Sequence, residues 1–129
     1  MPGAELLLDT NAVIAWLRQD NDLRRVAGKC QPIVSLFTVG EMFFGVRKSA
    51  RPEENERALE RALGDFAILF PDLATARHYG EVFAALRLKG RPIPVNDVWI
   101  AALALQHRLP LLTRDAHFGE VEALGVLRW

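Results

Sequence analysis

Four acidic residues stand where apolar segments give way to polar ones. Asp9 follows Leu6-Leu7-Leu8, and Glu41 follows Ser35-Leu36-Phe37-Thr38-Val39-Gly40. Asp97 precedes Val98-Trp99-Ile100-Ala101-Ala102, and Asp115 follows Leu111-Leu112-Thr113. Carboxylates are hard oxygen donors. Several held close together repel, and a hard divalent cation relieves the repulsion. An oxygen-only donor set suits Mg2+ or Mn2+ rather than zinc. Thr10, Asn11 and Thr113 place hydroxyl or amide groups beside the acids, where they can hydrogen-bond the carboxylates or metal-bound water. Arg114 adjoins Asp115 and has the planar fork that grips a phosphate through two hydrogen bonds; an exposed turn arginine is the other reading.

Each acid taken singly has a plainer explanation. Asp9, Asp97 and Asp115 all stand at helix starts, where a carboxylate gains about 0.3–1 kcal/mol from free N–H groups and the helix dipole. Glu41 fits the reciprocal position of a capping box beginning at Thr38. Helix capping, however, does not require all four to return to one edge of a sheet, and the order of elements puts them there.

Those elements follow from periodicity. Glu5 to Leu8 reads as a buried strand. Val13, Ile14, Trp16 and Leu17 then recur at helical spacing, and Asp20 or Asn21 can cap a second short helix ending near Gly28. Ile33 to Leu36, after Pro32, reads as a second strand, followed by a helix from Thr38 to Lys48 whose stripe is Val39, Met42, Phe43 and Val46. Pro52 opens the next helix, with Ala58, Leu59, Ala62, Leu63 and Phe66 on its buried face. Ala67 to Phe70 is a third strand. A long helix over 73–89 turns Ala76, Tyr79, Val82, Phe83 and Leu86 inward and stops at Gly90. After the stiff Arg91-Pro92-Ile93-Pro94 segment, Asn96 can cap a helix from Asp97 to His107 that is apolar nearly all round and belongs in the middle of a packed domain. Leu111 to Thr113 is a fourth strand, Asp115 to Phe118 a turn or short helix, and Gly125 to Leu127 a final strand. Strand and helix alternate through short loops. The expected fold class is therefore α/β: a three-layer α/β/α sandwich on a central parallel sheet of four to five strands, one domain over residues 1–129. In such a sheet ligands bind beyond the carboxyl ends of the strands.

Composition narrows the field. Half of the 129 residues are apolar, which is a globular rather than a disordered composition. The one cysteine, Cys30, forms no internal disulfide and fits a reducing, cytoplasmic setting. No basic segment precedes an apolar one at the N-terminus, so no signal peptide is expected. The longest apolar run, Val98 to Leu105, falls well short of the ~20 residues that cross a bilayer. Sixteen basic residues balance sixteen acidic ones, which argues against a broad nucleic-acid footprint. If a metal neutralises four of the acids, the rest of the surface is net basic, with clusters at Arg47, Lys48, Arg51 and at Arg87, Lys89, Arg91. Phosphate-binding glycine loops and a G-x-S-x-G elbow are both missing. His78, His107 and His117 show no metal-binding spacing; His117 is near enough to Asp115 to approach the acids.

These pieces together resemble the PIN-domain ribonucleases, and within them the VapC-type toxins of toxin–antitoxin pairs. The segments that carry the resemblance are Leu7-Leu8-Asp9-Thr10-Asn11, Ser35 to Glu41, Ile93 to Ala102 and Leu111 to Phe118, in the family's order and spacing. The family often has serine where Asn11 stands, and Trp99 takes a place often held by a smaller aliphatic residue; neither change removes an acid. The resemblance implies a metal-dependent endoribonuclease with Asp9, Glu41, Asp97 and Asp115 as its acidic quartet. Asp9, Asp97 and Asp115 are the expected metal ligands, Mg2+ or possible Mn2+ the cofactor, and 5′-phosphate and 3′-hydroxyl ends the products. It further implies a small antitoxin protein that covers the acids, and a homodimer. Trp16, Leu17 and above all Phe44 are candidates for such an interface. The competing readings are a catalytically inactive PIN-like module that binds RNA or protein, and a DNA flap nuclease, for which this chain lacks the extra helical elements.

Overall fold

The computed structural model describes residues 3–129, so the first two positions of the domain expected over 1–129 lie outside the described residues. In chain order the elements are β1 (Glu5–Leu8), α1 (Thr10–Leu17), α2 (Asn21–Ala27), β2 (Gln31–Ser35), α3 (Leu36–Arg47) and α4 (Pro52–Leu63). They continue with β3 (Ala67–Leu69), α5 (Leu73–Leu88), α6 (Val95–His107), β4 (Leu111–Leu112), a 3-10 turn (Ala116–Glu120) and β5 (Val126–Leu127). The five strands form one sheet in the order β3-β2-β1-β4-β5, and every neighbouring pair is parallel. β1 is thus central, with β2 on one side and β4 on the other. After β3 the chain returns across the sheet to β4, so the strand order reverses beside β1.

Side chains alternate across the strands and divide the core in two. Leu6, Leu8, Val34 and Leu112 face α1, α2 and α4, whereas Leu7, Ile33 and Leu111 face α5, α6 and the 3-10 turn. Helices on both faces explain why the strands carry almost no polar residues. Helix α6 meets the expectation of an all-round apolar segment: Val98 and Ile100 to Ala104 are all buried. Phe118, fully buried beside Leu7 and Leu111, clamps the 3-10 turn to this layer. Phe118→Ala is expected to cost about 3–5 kcal/mol, the range for emptying a buried aromatic site, read as a drop in the urea midpoint at unchanged slope.

Several boundaries differ from the expected ones. Strand β2 ends at Ser35 rather than Leu36, because the Ser35 hydroxyl accepts the Thr38 N–H (3.1 Å) and caps α3. The capping box expected from Thr38 to Glu41 does not form. Thr38 lies in the first turn of α3, buried, and Glu41 lies one turn further in. Pro32 is inside β2, where it does no harm. The N–H of Gln31 points to Ala4 on the β1 side, so the Pro32 nitrogen faces the other side, where pairing with β3 begins only at Ile33. Helix α6 starts at Val95, with Pro94 as its cap residue and no side-chain cap, so Asn96 is not the cap. Phe70 and Thr113 fall just outside β3 and β4. Ala58 and Ala76 face solvent instead of the core, as small side chains at the margin of an apolar stripe can at little cost.

Candidate active site

The four acids arrive from four elements, and hydrogen bonds together with two chain neighbours link them into a ring. Asp9 ends β1 and caps α1: its Oδ1 accepts the Ala12 N–H at 2.9 Å. Its Oδ2 accepts the Thr113 hydroxyl from the end of β4. The same Thr113 oxygen accepts the Asp115 N–H at 2.9 Å. Asp115 caps the 3-10 turn by accepting the His117 N–H (2.9 Å), and the His117 ring folds back so that Nδ1 lies 3.0 Å from Asp115 Oδ1 and 3.2 Å from Asp97 Oδ2. Asp97 is in the first turn of α6, next to Asn96, whose amide donates to Glu41 Oε1 at 2.9 Å. Glu41 Oε2 accepts the Thr10 hydroxyl at 3.0 Å, and Thr10 adjoins Asp9. The ring sits at the carboxyl ends of β1 and β4, at the reversal of strand order where open parallel sheets hold their ligands.

The electrostatics of the acids follow from burial and crowding. Burial pushes the Asp9 carboxyl above its ordinary value; the bonds from Thr113 and Ala12 pull it back, and the charges of Asp97 and Asp115 push it up again. Asp97 is raised in the same way, first by burial, then by Asp115 and Glu41, with His117 acting in the opposite direction. Two carboxylates that resist ionisation, first through burial and then through neighbouring acids, are ones a cation would stabilise. Asp97, Asp115 and His117 offer donor atoms that all lie within 4.8 Å of one another. This donor set fits a divalent metal.

The other residues singled out in the sequence fall in different places. Thr10 and Thr113 bond the acids directly. Asn11 is exposed, and among the described residues it makes no hydrogen bond to an acid. The Arg114 guanidinium lies over the Trp129 ring, 4.7 Å from its centroid, and 4.0 Å from Asp20. One participant, Asn96, was not foreseen as such; His117, expected near enough to Asp115 to approach the acids, does reach them. Asn96 bonds Glu41, which only the packing of α3 against α6 decides. His117 links two acids, and its signal was present: an acid-x-histidine spacing at the mouth of a tight turn brings the ring back over the acid.

The PIN domain family model matches residues 6–124. The chain belongs to the PIN-domain family. This PIN domain is similar to ribonuclease VapC2 of Haemophilus influenzae, with 34% identity over 129 residues, 95% of this chain and 96% of that protein. It is also similar to the tRNA(fMet)-specific endonuclease VapC of Shigella flexneri, 32% identical over 96% of this chain and 95% of that one. Among solved structures, VapBC-1 from nontypeable Haemophilus influenzae superposes with a TM-score of 0.86 at 29% identity, covering 97% of this chain and 98% of that one. VapBC2 from Rickettsia felis, bound to a DNA fragment from its promoter, gives 0.85 at 27% identity over the same shares. The PIN domain therefore has the fold and, from end to end, the layout of the VapC proteins.

Proposed function

We infer that this chain is a VapC-type endoribonuclease, the toxin of a toxin–antitoxin pair, which hydrolyses RNA phosphodiester bonds at the ring of four acids. The observation that carries the reading is the ring itself: Asp9, Glu41, Asp97 and Asp115, far apart in sequence, meet at the sheet's switch point in a PIN domain that matches VapC ribonucleases along its length. Asp9, Asp97 and Asp115 are the proposed metal ligands. A bound Mg2+ or Mn2+ supplies Lewis-acid chemistry, making a nucleophile of water and stabilising charge on the leaving oxygen. Thr113 fixes the Asp9 carboxylate from one side and the Ala12 N–H from the other, so Asp9 meets its ligand in a set orientation. Thr10 and Asn96 hold both oxygens of Glu41. Arg114 is half exposed, and its pairing with Asp20 is of the weak surface kind, so a substrate phosphate can compete for it.

The same reading supplies the partners. Leu36, Phe37 and Phe44 line a shallow groove beside Glu41 and Asn96, and Phe44 is 63% exposed. That apolar strip next to the acids supports a small antitoxin protein lying across them, and a homodimer of toxin chains. The chain is read as one PIN domain. No helix among the described residues is long and apolar enough to cross a membrane; an RNA substrate and a lone free cysteine support placement in the cytoplasm.

The purified protein is expected to cut RNA in the presence of Mg2+ or Mn2+, to stop in EDTA, and to leave 5′-phosphate and 3′-hydroxyl ends on sequencing of the fragments. Asp9→Asn, which keeps the shape and loses the charge, is expected to leave no cleavage above background. Cleavage that persists in EDTA, or ends carrying a 2′,3′-cyclic phosphate, would show that the 2′-hydroxyl attacks without a metal and would sink the assignment.

A further inference from the structure

We propose that His117 is a direct nitrogen ligand of the metal, and that it moves the selectivity of the site from Mg2+ towards Mn2+. The proposal rests on the reading of the acids as a metal site, and adds to that site a ligand of a different chemical kind. Its Nδ1 lies 3.0 Å from Asp115 Oδ1 and 3.2 Å from Asp97 Oδ2. Donors on adjacent corners of an octahedron with bonds of ~2.1 Å stand about 3.0 Å apart. Nδ1 thus already stands at neighbouring-ligand distance from an oxygen of each acid, and the donor atoms of all three residues lie within 4.8 Å of one another.

The backbone that carries the ring is also held in place. Asp115 Oδ1 accepts the His117 N–H at 2.9 Å, which starts the 3-10 turn. The next residue, Phe118, is fully buried in the core. A histidine whose backbone is anchored on both sides presents its nitrogen at little further cost in backbone entropy. A neutral imidazole is a borderline donor. Mg2+ favours oxygen and keeps its water molecules, whereas metals further along the first transition row accept nitrogen more readily. One imidazole among carboxylates therefore discriminates between ions that the carboxylates alone would treat alike. The opposing account is that His117 is only a cationic partner of Asp97 and Asp115, displaced outward when a metal arrives.

Electron spin-echo spectroscopy of the full-length protein loaded with Mn2+ separates the two. Directly bound imidazole imposes a strong 14N modulation on the Mn2+ signal. The wild type is expected to show it, and His117→Ala is expected to lose it while its circular dichroism is unchanged. Over the same pair, Mn2+ affinity is expected to fall about tenfold, while Mg2+ affinity, from competition, changes less than about threefold. If His117→Ala does not fold, incorporating 15N-histidine into the wild type must replace the 14N pattern. Bound Mn2+ without directly coupled nitrogen, or a pattern that survives in His117→Ala, overturns the proposal and leaves the acidic metal site standing. Failure of the wild type to bind Mn2+ at all overturns that site, and the proposal with it.

Discussion

Asp97→Asn is expected to give a protein that is both inert and harder to unfold when metal-free. In the folded chain Asp97 holds its proton more tightly than a free carboxyl, because burial, Asp115 and Glu41 all disfavour the charge. Between the ordinary value of 3.8 and the raised one, the native state therefore binds more protons than the unfolded state. Stability is greatest below that window and falls as pH rises through it. At neutral pH, Asp97 and the similarly raised Asp9 both act against folding unless a cation offsets them. Asparagine removes the charge, and its carbonyl oxygen can still accept from His117. In EDTA at neutral pH the variant is expected to melt roughly 3–5 °C above wild type, and calorimetry should show the gap narrowing towards pH 4. With Mg2+ or Mn2+ the wild type gains stability from binding and the variant does not. RNA cleavage should fall about 10^2–10^3-fold, the scale set by losing a preorganised electrostatic contact. A variant that is less stable at pH 7.5 than at pH 5, relative to wild type, would contradict this account.

The second large effect is expected at Thr113, which is not an acid. Thr113→Val keeps the volume of a fully buried side chain and deletes the hydroxyl that donates to Asp9 and accepts from Asp115. A buried carboxylate and a backbone N–H each lose a partner, at about 1–3 kcal/mol. Asp9 and Asp115 also lose their shared reference point, so metal affinity and cleavage are expected to drop about 10–100-fold, as when other outer hydrogen-bond partners of metal ligands are removed. Thr113→Ser restores the hydroxyl and should recover most of both. The urea midpoint and the single-turnover rate check the pair together; equal behaviour of Val and Ser would remove Thr113 from the machinery.

The readability of this chain varied with the range of the interaction. Helices α1, α4, α5 and α6 and the parallel sheet were legible because each is written in local periodicity. All four acids could be placed at the sheet edge because strand ends and helix starts are themselves local signals. The start of α3 was misplaced, since Ser35, Thr38 and Glu41 all look like cap residues and only the actual Ser35–Thr38 bond decides among them. Asn96 reads as a cap in the sequence because its bond to Glu41 spans 55 residues. Nor does any local pattern announce the stack of Phe37, Trp99 and Tyr79 from three different helices, with centroids 5.3 and 4.0 Å apart. Trp99, unusual in its position, has a physical reason there: its ring bridges Phe37 of α3 and Tyr79 of α5.

The bond between Asp9 and Thr113 joins residues 104 positions apart, and β1 has its two neighbours at opposite ends of the chain's history. A growing polypeptide can pair β1 with β2 early, but β4 emerges only after α6. Until then the first acid has no Thr113, Asp115 or His117 to face. A prematurely terminated translation product or a cleaved N-terminal fragment therefore carries Asp9 and Glu41 without the other half of the centre. On the proposed assignment, cleavage is expected only from chains synthesised through β4 and the 3-10 turn, so a product that stops earlier is expected to be harmless.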